Sequence, residues 1–260
     1  MTDTKDTWFK SWFNTQDYLD LYKHRDSHDA SKLVSLIFSN INIPKGSNVL
    51  DLACGSGRHS VFFAKKGMFV TGIDLSAFLI KQANLQLENE FLHYKDKLKF
   101  EIRDMREIKH VNEFELVVNL FSSFGYFKDD NENEQVIRSI SKALKPAGYF
   151  VIDFLNREKL INTLVPYDIK RTDGKYIVQV RKIEDGFVEK EILIFRNSDA
   201  STDYPVLNHF NERIRLYSLE DFRKMFTHNG LNIINTFGNY DGSIFVKNSS
   251  ERLIIFAHKP

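Results

Sequence analysis

Residues 48–58, NVLDLACGSGR, decide the fold that we predict for this chain. A short, mostly apolar run typical of a buried strand is followed at once by Gly55 and Gly57. Glycine at a strand-to-helix turn lets a ligand approach the backbone, and the N-terminus of the next helix offers N–H groups to an anion. Asp74 ends the next predicted strand, where a carboxylate can accept both hydroxyl groups of a ribose. We therefore expect a nucleoside-containing ligand across the carboxyl ends of the first two strands.

Strands and helices alternate on both sides of this stretch. Further strands are predicted at 69–74, 98–104, 114–121, 149–154, 231–237 and 252–258, with amphipathic helices between them. This order predicts a mostly parallel sheet covered on both faces. Residues 8–40 contain neither glycine nor proline and are predicted to be helical. Residues 1–45 therefore form an N-terminal helical segment, and residues 46–156 and 218–260 form the α/β core.

Residues 157–217 interrupt the α/β pattern. The Asp-Gly pairs at 173–174 and 185–186 are each flanked by alternating apolar and polar residues. An Asp-Gly pair between such runs predicts a β-hairpin. We expect this segment to be an antiparallel meander inserted into the core.

Composition excludes several classes of protein. The 260 residues carry 36 Lys and Arg against 35 Asp and Glu, so a broad basic surface for nucleic acid is not expected. The single cysteine excludes an intramolecular disulfide, and no metal site is predicted. No apolar run approaches 18 residues, and the N-terminus lacks a signal-peptide core. A cytoplasmic protein without a membrane span is predicted, either a monomer or a homodimer.

Two residues separate the possible nucleoside ligands. A dinucleotide fingerprint requires a third glycine, where this chain has Ser60, and an apolar strand, where it has Asp51. A carboxylate below the loop would repel a pyrophosphate, whereas it would favour a cationic ligand such as S-adenosylmethionine (SAM). An NAD(P)-dependent oxidoreductase and a SAM-binding protein without catalysis remain as alternatives.

Five motifs occur in one order: VLDLACGSGRHS (49–60), GIDLS (72–76), FEIRDMREI (100–108), NLFSSFGYF (119–127) and ALKPAGYFVIDFLN (143–156). Together they resemble the successive motifs of class I SAM-dependent methyltransferases. The resemblance implies an α/β, Rossmann-like fold with a seven-stranded sheet in the order 3-2-1-4-5-7-6, the last strand antiparallel. It also implies a methyltransferase of the small-molecule branch. In that branch the N-terminal helical segment is a lid, and the inserted meander of residues 157–217, called the β lobe below, shapes the acceptor site.

The resemblance assigns cofactor contacts along the chain. Residues 53–57 would hold the methionine moiety of SAM, Asp74 the ribose and Leu75 the adenine. The predicted cofactor-binding residues are Tyr18, Tyr22, Arg25, Asp51, Ala53, Cys54, Gly55, Gly57, Asp74, Leu75, Asp104, Met105, Asn119 and Leu120. Tyr18, Tyr22 and Arg25 are included because the spacing i, i+4, i+7 places them on one helix face, which we expect to close over SAM.

The acceptor and the catalytic base are harder to assign. Residues 119–122 lack the Asn/Asp-Pro-Pro-aromatic motif of enzymes that methylate nucleobase or glutamine nitrogens. Residues of the meander from His209 to Tyr217 alternate onto a polar face that would line either water or a pocket. The predicted acceptor-binding residues are Ser123, Tyr126, Arg213 and Arg215, and the candidate bases are Tyr126, His209 and Tyr217. The predicted partner is a small-molecule acceptor, and nucleic acid is not favoured.

Overall fold

The computed structural model describes residues 7–23, 27–172, 174–196 and 206–260. Its helices are α1 (Trp8–Trp12), α2 (Gln16–Tyr22), α3 (Ser27–Asn40), α4 (Arg58–Lys65), α5 (Ala77–Asn89), α6 (Asp130–Ala143), α7 (Arg157–Thr163) and α8 (Leu219–His228). Its strands are β1 (Asn48–Leu52), β2 (Phe69–Asp74), β3 (Leu98–Ile102), β4 (Phe114–Asn119), β5 (Leu144–Leu155), β6 (Tyr167–Thr172), β7 (Lys175–Glu184), β8 (Phe187–Arg196), β9 (Val206–Arg215), β10 (Asn232–Phe237) and β11 (Arg252–His258). No helix among these described residues is both long and apolar enough to span a bilayer.

The larger sheet has the order β3-β2-β1-β4-β5-β11-β10. Strands β1 to β5 pair in parallel, whereas β11 runs antiparallel to both β5 and β10. The predicted strand order is therefore confirmed. The carboxyl ends of β1 and β4 lie side by side, since Leu52 pairs with Asn119. The loops after these two strands meet at the centre of the sheet, where ligands bind in open α/β sheets.

Side-chain alternation along the strands divides the core into two layers. Val49, Leu116 and Val118 pack on one face with α3 and α4, whereas Leu50 and Val117 pack on the other face with α6 and α8. Because both faces are covered, the central strands are mostly apolar on both faces, with buried polar exceptions at Asp51 in β1 and Asn119 in β4. This rigid frame holds the loops at the carboxyl edge of the sheet.

The described residues of the N-terminal segment form α1, α2 and α3, and the break between α1 and α2 rules out the one continuous helix predicted over 8–40. The chain leaves the helix after Trp12, and the Thr15 hydroxyl accepts a hydrogen bond from Tyr18 N at 3.2 Å, which caps α2. Threonine with a side chain bonded to a nearby amide favours a helix start over a helix interior. Tyr18 and Tyr22 lie together on α2, while Arg25 lies outside the described residues.

The inserted segment forms the predicted antiparallel sheet, in the order β6-β7-β8-β9. Asp185 and Gly186, with φ of 51° and 78°, join β7 to β8 through a two-residue turn. Two positive φ values in such a turn are the geometry that the Asp-Gly pair predicts. In the other pair Gly174 has a φ of 72°, but Asp173 lies outside the described residues.

Candidate functional site

The loop after β1 places several backbone groups in rare conformations. Ala53, Gly55 and Gly57 have φ values of 53°, 58° and 82°. Because the left-handed region costs most residues about 1–2 kcal/mol, two glycines reduce the strain of this turn. A Cβ at Gly57 would lie 2.6 Å from the Phe100 ring, whereas a Cβ at Gly55 would meet open space. Gly57 is therefore required by packing, and Gly55 leaves room beside the loop.

Asp74 holds this loop against β2. Its carboxylate accepts hydrogen bonds from Gly55 N at 2.9 Å and from Ser76 N at 2.8 Å. Burial raises the pKa of Asp74 above its ordinary value, although these amide donors oppose the shift. Two carboxylate oxygens have about four lone-pair sites, so these backbone bonds leave acceptor capacity for a ribose hydroxyl group. The position predicted for ribose binding thus also shapes the glycine loop.

Asp51 lies below the same loop, and its side chain is 2% exposed. Ser60 donates a hydrogen bond to its carboxylate at 2.6 Å, which explains the serine in place of a third glycine. Burial raises the pKa of Asp51 to about 7, the Asp74 carboxylate adds to the rise, and the Ser60 hydrogen bond opposes it. The carboxylate therefore changes its charge near neutral pH.

SAM binding is expected to strengthen as the pH rises through 7. The ammonium and sulfonium groups of SAM favour the ionised form of Asp51, so below pH 7 binding must first remove a proton. The dissociation constant should then rise by up to about tenfold per pH unit of acidification. Titration calorimetry between pH 5.5 and 8.5 measures this dependence. The matched variant Asp51→Asn should bind more weakly at pH 8 with a flatter profile, and an unchanged profile in that variant would contradict the assignment.

Two cavities adjoin the glycine loop. The larger, of about 560 Å³, runs from residues 53–59 towards the β lobe, and the smaller, of about 60 Å³, lies beside Asp74, Leu75 and Met105. The residues that line both cavities mark their junction: Phe13, Tyr18, Ala53, Gly55, Leu79, Ser123 and Tyr126. A ligand with the adenine of SAM in the smaller cavity and its methionine moiety in the larger one would cross this junction. The open space at Gly55 lies where such a ligand must pass close to the backbone.

In the cavity predicted to hold the adenine, the Asp104 carboxylate already binds a neighbouring arginine. Leu75, Asp104 and Met105 all line the smaller cavity. The Asp104 carboxylate, however, accepts hydrogen bonds from Arg106 N at 2.9 Å and Arg106 Nη2 at 2.7 Å. Although burial raises the pKa of Asp104, these bonds to Arg106 lower it overall, so Asp104 is a carboxylate at neutral pH. Arg106 Nε also donates to both carboxylate oxygens, at 3.1 and 3.3 Å, so an amino group of a ligand would bind Asp104 by displacing one of these Arg106 bonds.

The loop after β4 is held in an unusual conformation opposite the glycine loop. Phe121 and Ser122 have φ values of 64° and 63°, a strained geometry for two successive residues with side chains. Asp153 on β5 stabilises it, since the carboxylate accepts from Phe121 N at 3.0 Å and the backbone carbonyl accepts from Ser122 N at 2.8 Å. Leu120 lines the larger cavity, while Asn119 is fully buried and donates to Leu52 O and Ser123 O. Of the two residues predicted near the sulfonium, Leu120 therefore reaches the cavity.

The polar face predicted on β9 lies away from the cavity, so the structure corrects this part of the interpretation. Arg213 pairs with Glu189 at 3.2 Å, and Arg215 pairs with Asp130 at 3.1 Å. His209 is 49% exposed and pairs with Glu191. Alternation places Glu212 and Ile214 on the opposite face, and both line the larger cavity.

Tyr217 is not among the residues that line the larger cavity. Its hydroxyl donates to Asp130 Oδ1 at 2.7 Å. Burial, together with this carboxylate, raises the pKa of Tyr217, so the phenol stays protonated. Its position does not support the predicted role as a base.

Glu212 is a buried residue of the site that the sequence pattern missed. It is 7% exposed and accepts hydrogen bonds from Trp12 Nε1 at 2.7 Å, Tyr22 OH at 2.6 Å and Lys190 Nζ at 2.6 Å. Burial raises the pKa of Glu212, but Lys190 and the other donors lower it overall, so the side chain is ionised. An acid between Phe210 and Ile214 on one strand face was the available signal. Glu212 joins α1 and α2 to the lobe at the wall of the larger cavity.

The remaining residues predicted to bind the cofactor or the acceptor line the two cavities beside the glycine loop. Ser123 and Tyr126 line both cavities, and their hydroxyls donate to Leu120 O and Ser122 O at 2.9 Å each. Tyr18 and Tyr22 line the larger cavity as well. Cys54 lines the larger cavity, and burial raises the pKa of its thiol well above its ordinary value, so the side chain is neutral.

Comparison with known sequences also identifies a methyltransferase. Residues 43–207 match the family described as "Methyltransferase domain". A relative from Streptomyces venezuelae, dTDP-3-amino-3,4,6-trideoxy-alpha-D-glucopyranose N,N-dimethyltransferase, is 28% identical over 209 residues, which cover 79% of this chain and 83% of the relative.

Solved structures share the fold. A SAM-dependent methyltransferase from Clostridium acetobutylicum superposes with a TM-score of 0.76 at 22% identity, covering 94% of this chain and 96% of the other. SAM-bound CalS10, an amino pentose methyltransferase from Micromonospora echinaspora, superposes with a TM-score of 0.67 at 17% identity, covering 95% and 98%.

Proposed function

The chain belongs to the family of SAM-dependent methyltransferases, and we propose that it methylates an amino group of a small, sugar-like acceptor. When bound, SAM supplies a methyl group that is already activated by the sulfonium sulfur. The chain's own residues then need to align the acceptor with that methyl group and exclude water. The relative from Streptomyces venezuelae, whose name specifies an amino sugar, supports the choice of acceptor.

The larger cavity is the observation that carries this proposal. It opens beside the glycine loop, and its far wall comes from the N-terminal helices and the β lobe, through Tyr22, Lys190, Glu212 and Ile214. Its volume of about 560 Å³ is in the range of cavities that take small molecules. We propose that residues 1–45 act as a lid and that residues 157–217 bind the acceptor. A polymer would have to enter past both.

Charge on the cavity wall favours an uncharged amine. Among the described residues, the lining has the cationic side chains Lys23, Arg58, Arg181, Lys190 and Arg252, and it has the carboxylate of Glu212. An ammonium group on the acceptor would add positive charge beside the sulfonium, so the free amine, which carries the nucleophilic lone pair, is favoured. The acceptor can lose its proton to water before it binds, and no protein base is then required.

The acceptor proposal is tested with labelled SAM and a matched panel. The panel contains a nucleotide-linked amino sugar, the same sugar with a hydroxyl group in place of the amine, and a short peptide with a free N-terminus. Methylation of the amino sugar alone is expected. Transfer to the hydroxyl analogue at a similar rate would contradict N-methylation, and transfer to the peptide alone would contradict a sugar-like acceptor.

The pH dependence of kcat/KM tests the route of the proton. We expect kcat/KM for the acceptor to rise by about tenfold per pH unit until the pH reaches the pKa of the acceptor amine, because only the free amine attacks. An acceptor with a less basic amine should shift the profile to lower pH by the difference in pKa. Tyr126→Phe should keep the profile of the parent protein. A profile that stays fixed when the acceptor is changed would instead indicate a protein base.

A further inference from the structure

His59 has an unsatisfied nitrogen beside the glycine loop. It is the second residue of α4, it lines the larger cavity and it is 6% exposed. Its Nε2 is buried and lacks a hydrogen-bond partner in the described part of the chain. Such buried groups are rare in folded proteins because their lost hydration is not replaced. A ligand that supplies the missing partner would remove this penalty.

The surroundings of His59 favour an anion. Helix α4 begins at Arg58, its first turn contains no acidic residue, and its N-cap residue, Gly57, has no side chain with which to cap the first amides. A cationic residue at a helix N-terminus opposes the helix dipole and does not help the isolated helix. The positive charge of Arg58 and the uncapped amides of the first turn would both stabilise a negative group placed at this end of the helix. Arg58 lines the same cavity as His59.

His59 is unsuited to act as a base. Burial lowers its pKa to about 3, and the charge of Arg58 contributes to the shift. The imidazole is therefore neutral at physiological pH, and one of its nitrogens carries a hydrogen that can be donated. A general base should have a pKa near the working pH. Donation of a hydrogen bond is the role that remains.

We propose that His59 donates a hydrogen bond to the carboxylate of the methionine moiety of SAM, with Arg58 and the first amides of α4 supplying positive charge. The carboxylate is the one anionic group of SAM, and residues 53–57 beside His59 form the part of the loop that adjoins the larger cavity. This assignment makes His59 a cofactor-binding residue. It concerns the cofactor and holds for any acceptor.

Two ligands that differ in the carboxylate provide the test. S-adenosylhomocysteine has the carboxylate, and S-adenosyl-3-thiopropylamine lacks it but keeps the ammonium group. His59→Phe, which keeps a ring and removes both nitrogens, should weaken binding of S-adenosylhomocysteine by about tenfold or more in titration calorimetry. Binding of the decarboxylated ligand should change by less than about twofold, a limit equal to a few tenths of a kcal/mol. His59→Asn, which restores a donor, should recover part of the affinity.

A second variant keeps the test decisive if His59→Phe does not fold. Arg58→Gln should produce the same selective loss for the carboxylate-bearing ligand, and thermal unfolding of each variant verifies that the fold is intact. A parallel loss for both ligands, or no loss for either, would overturn the assignment. If the parent protein binds both ligands equally well, the carboxylate is not recognised and the assignment is also overturned.

Discussion

Replacing Gly55 with alanine is expected to weaken SAM binding by about 10–100-fold, while the fold survives. A methyl group at this position meets open space in the protein, and that space belongs to both cavities. Steric overlap with a closely bound ligand costs about 1–3 kcal/mol, which corresponds to the expected loss of affinity. The positive φ of 58° costs the folded state about 1–2 kcal/mol, a loss that a domain of this size withstands. Titration calorimetry and denaturant unfolding separate the two effects.

Gly230→Ala is the matched control for this prediction. Gly230 has a φ of 71°, and a Cβ there also meets open space. It follows α8, away from the residues that line the two cavities. The control should show a similar loss of unfolding free energy with unchanged SAM affinity. Equal affinities for the two variants would show that SAM does not approach Gly55.

The features that sequence predicted well are local or periodic. The glycine loop and Asp74 at the end of β2 follow from short motifs whose backbone requirements are strict, whereas the strand order was implied by the resemblance to a known family. The lobe was predictable because Asp185 and Gly186 match one turn geometry. The residues that determine the loop and the hairpin turn are neighbours in sequence.

The features that sequence missed depend on distant contacts. Glu212 stands on a strand face with Phe210 and Ile214, and its partners Trp12 and Tyr22 lie about 200 residues away. Alternation separates two faces but does not say which one meets the cavity, so Arg213 and Arg215 were assigned to the wrong side. The break before α2 was missed because Thr15 is compatible with both a helix interior and a cap.

Glu212→Ala is expected to destabilise the protein and release the N-terminal helices. The substitution removes a buried carboxylate that accepts hydrogen bonds from Trp12, Tyr22 and Lys190. Removing one partner of a buried ion pair costs about 3–5 kcal/mol, because the other charge remains buried without compensation. The side chain of Lys190 is 16% exposed, so water compensates it only in part.

The two tryptophans make this release measurable, because Trp8 and Trp12 both lie in α1 and are 2% and 0% exposed. In Glu212→Ala, tryptophan emission should shift to longer wavelength at a lower urea concentration than the loss of far-ultraviolet circular dichroism, which reports the whole fold.

Glu191→Ala is the matched control, since Glu191 lies on the same sheet but pairs with an exposed histidine. It should change the unfolding free energy by less than about 0.5–1 kcal/mol. If Glu212→Ala unfolds like Glu191→Ala, with coincident transitions, Glu212 does not attach the N-terminal helices to the β lobe. The double variant Glu212→Gln, Lys190→Met should recover stability relative to Glu212→Ala, because it leaves no buried charge unpaired.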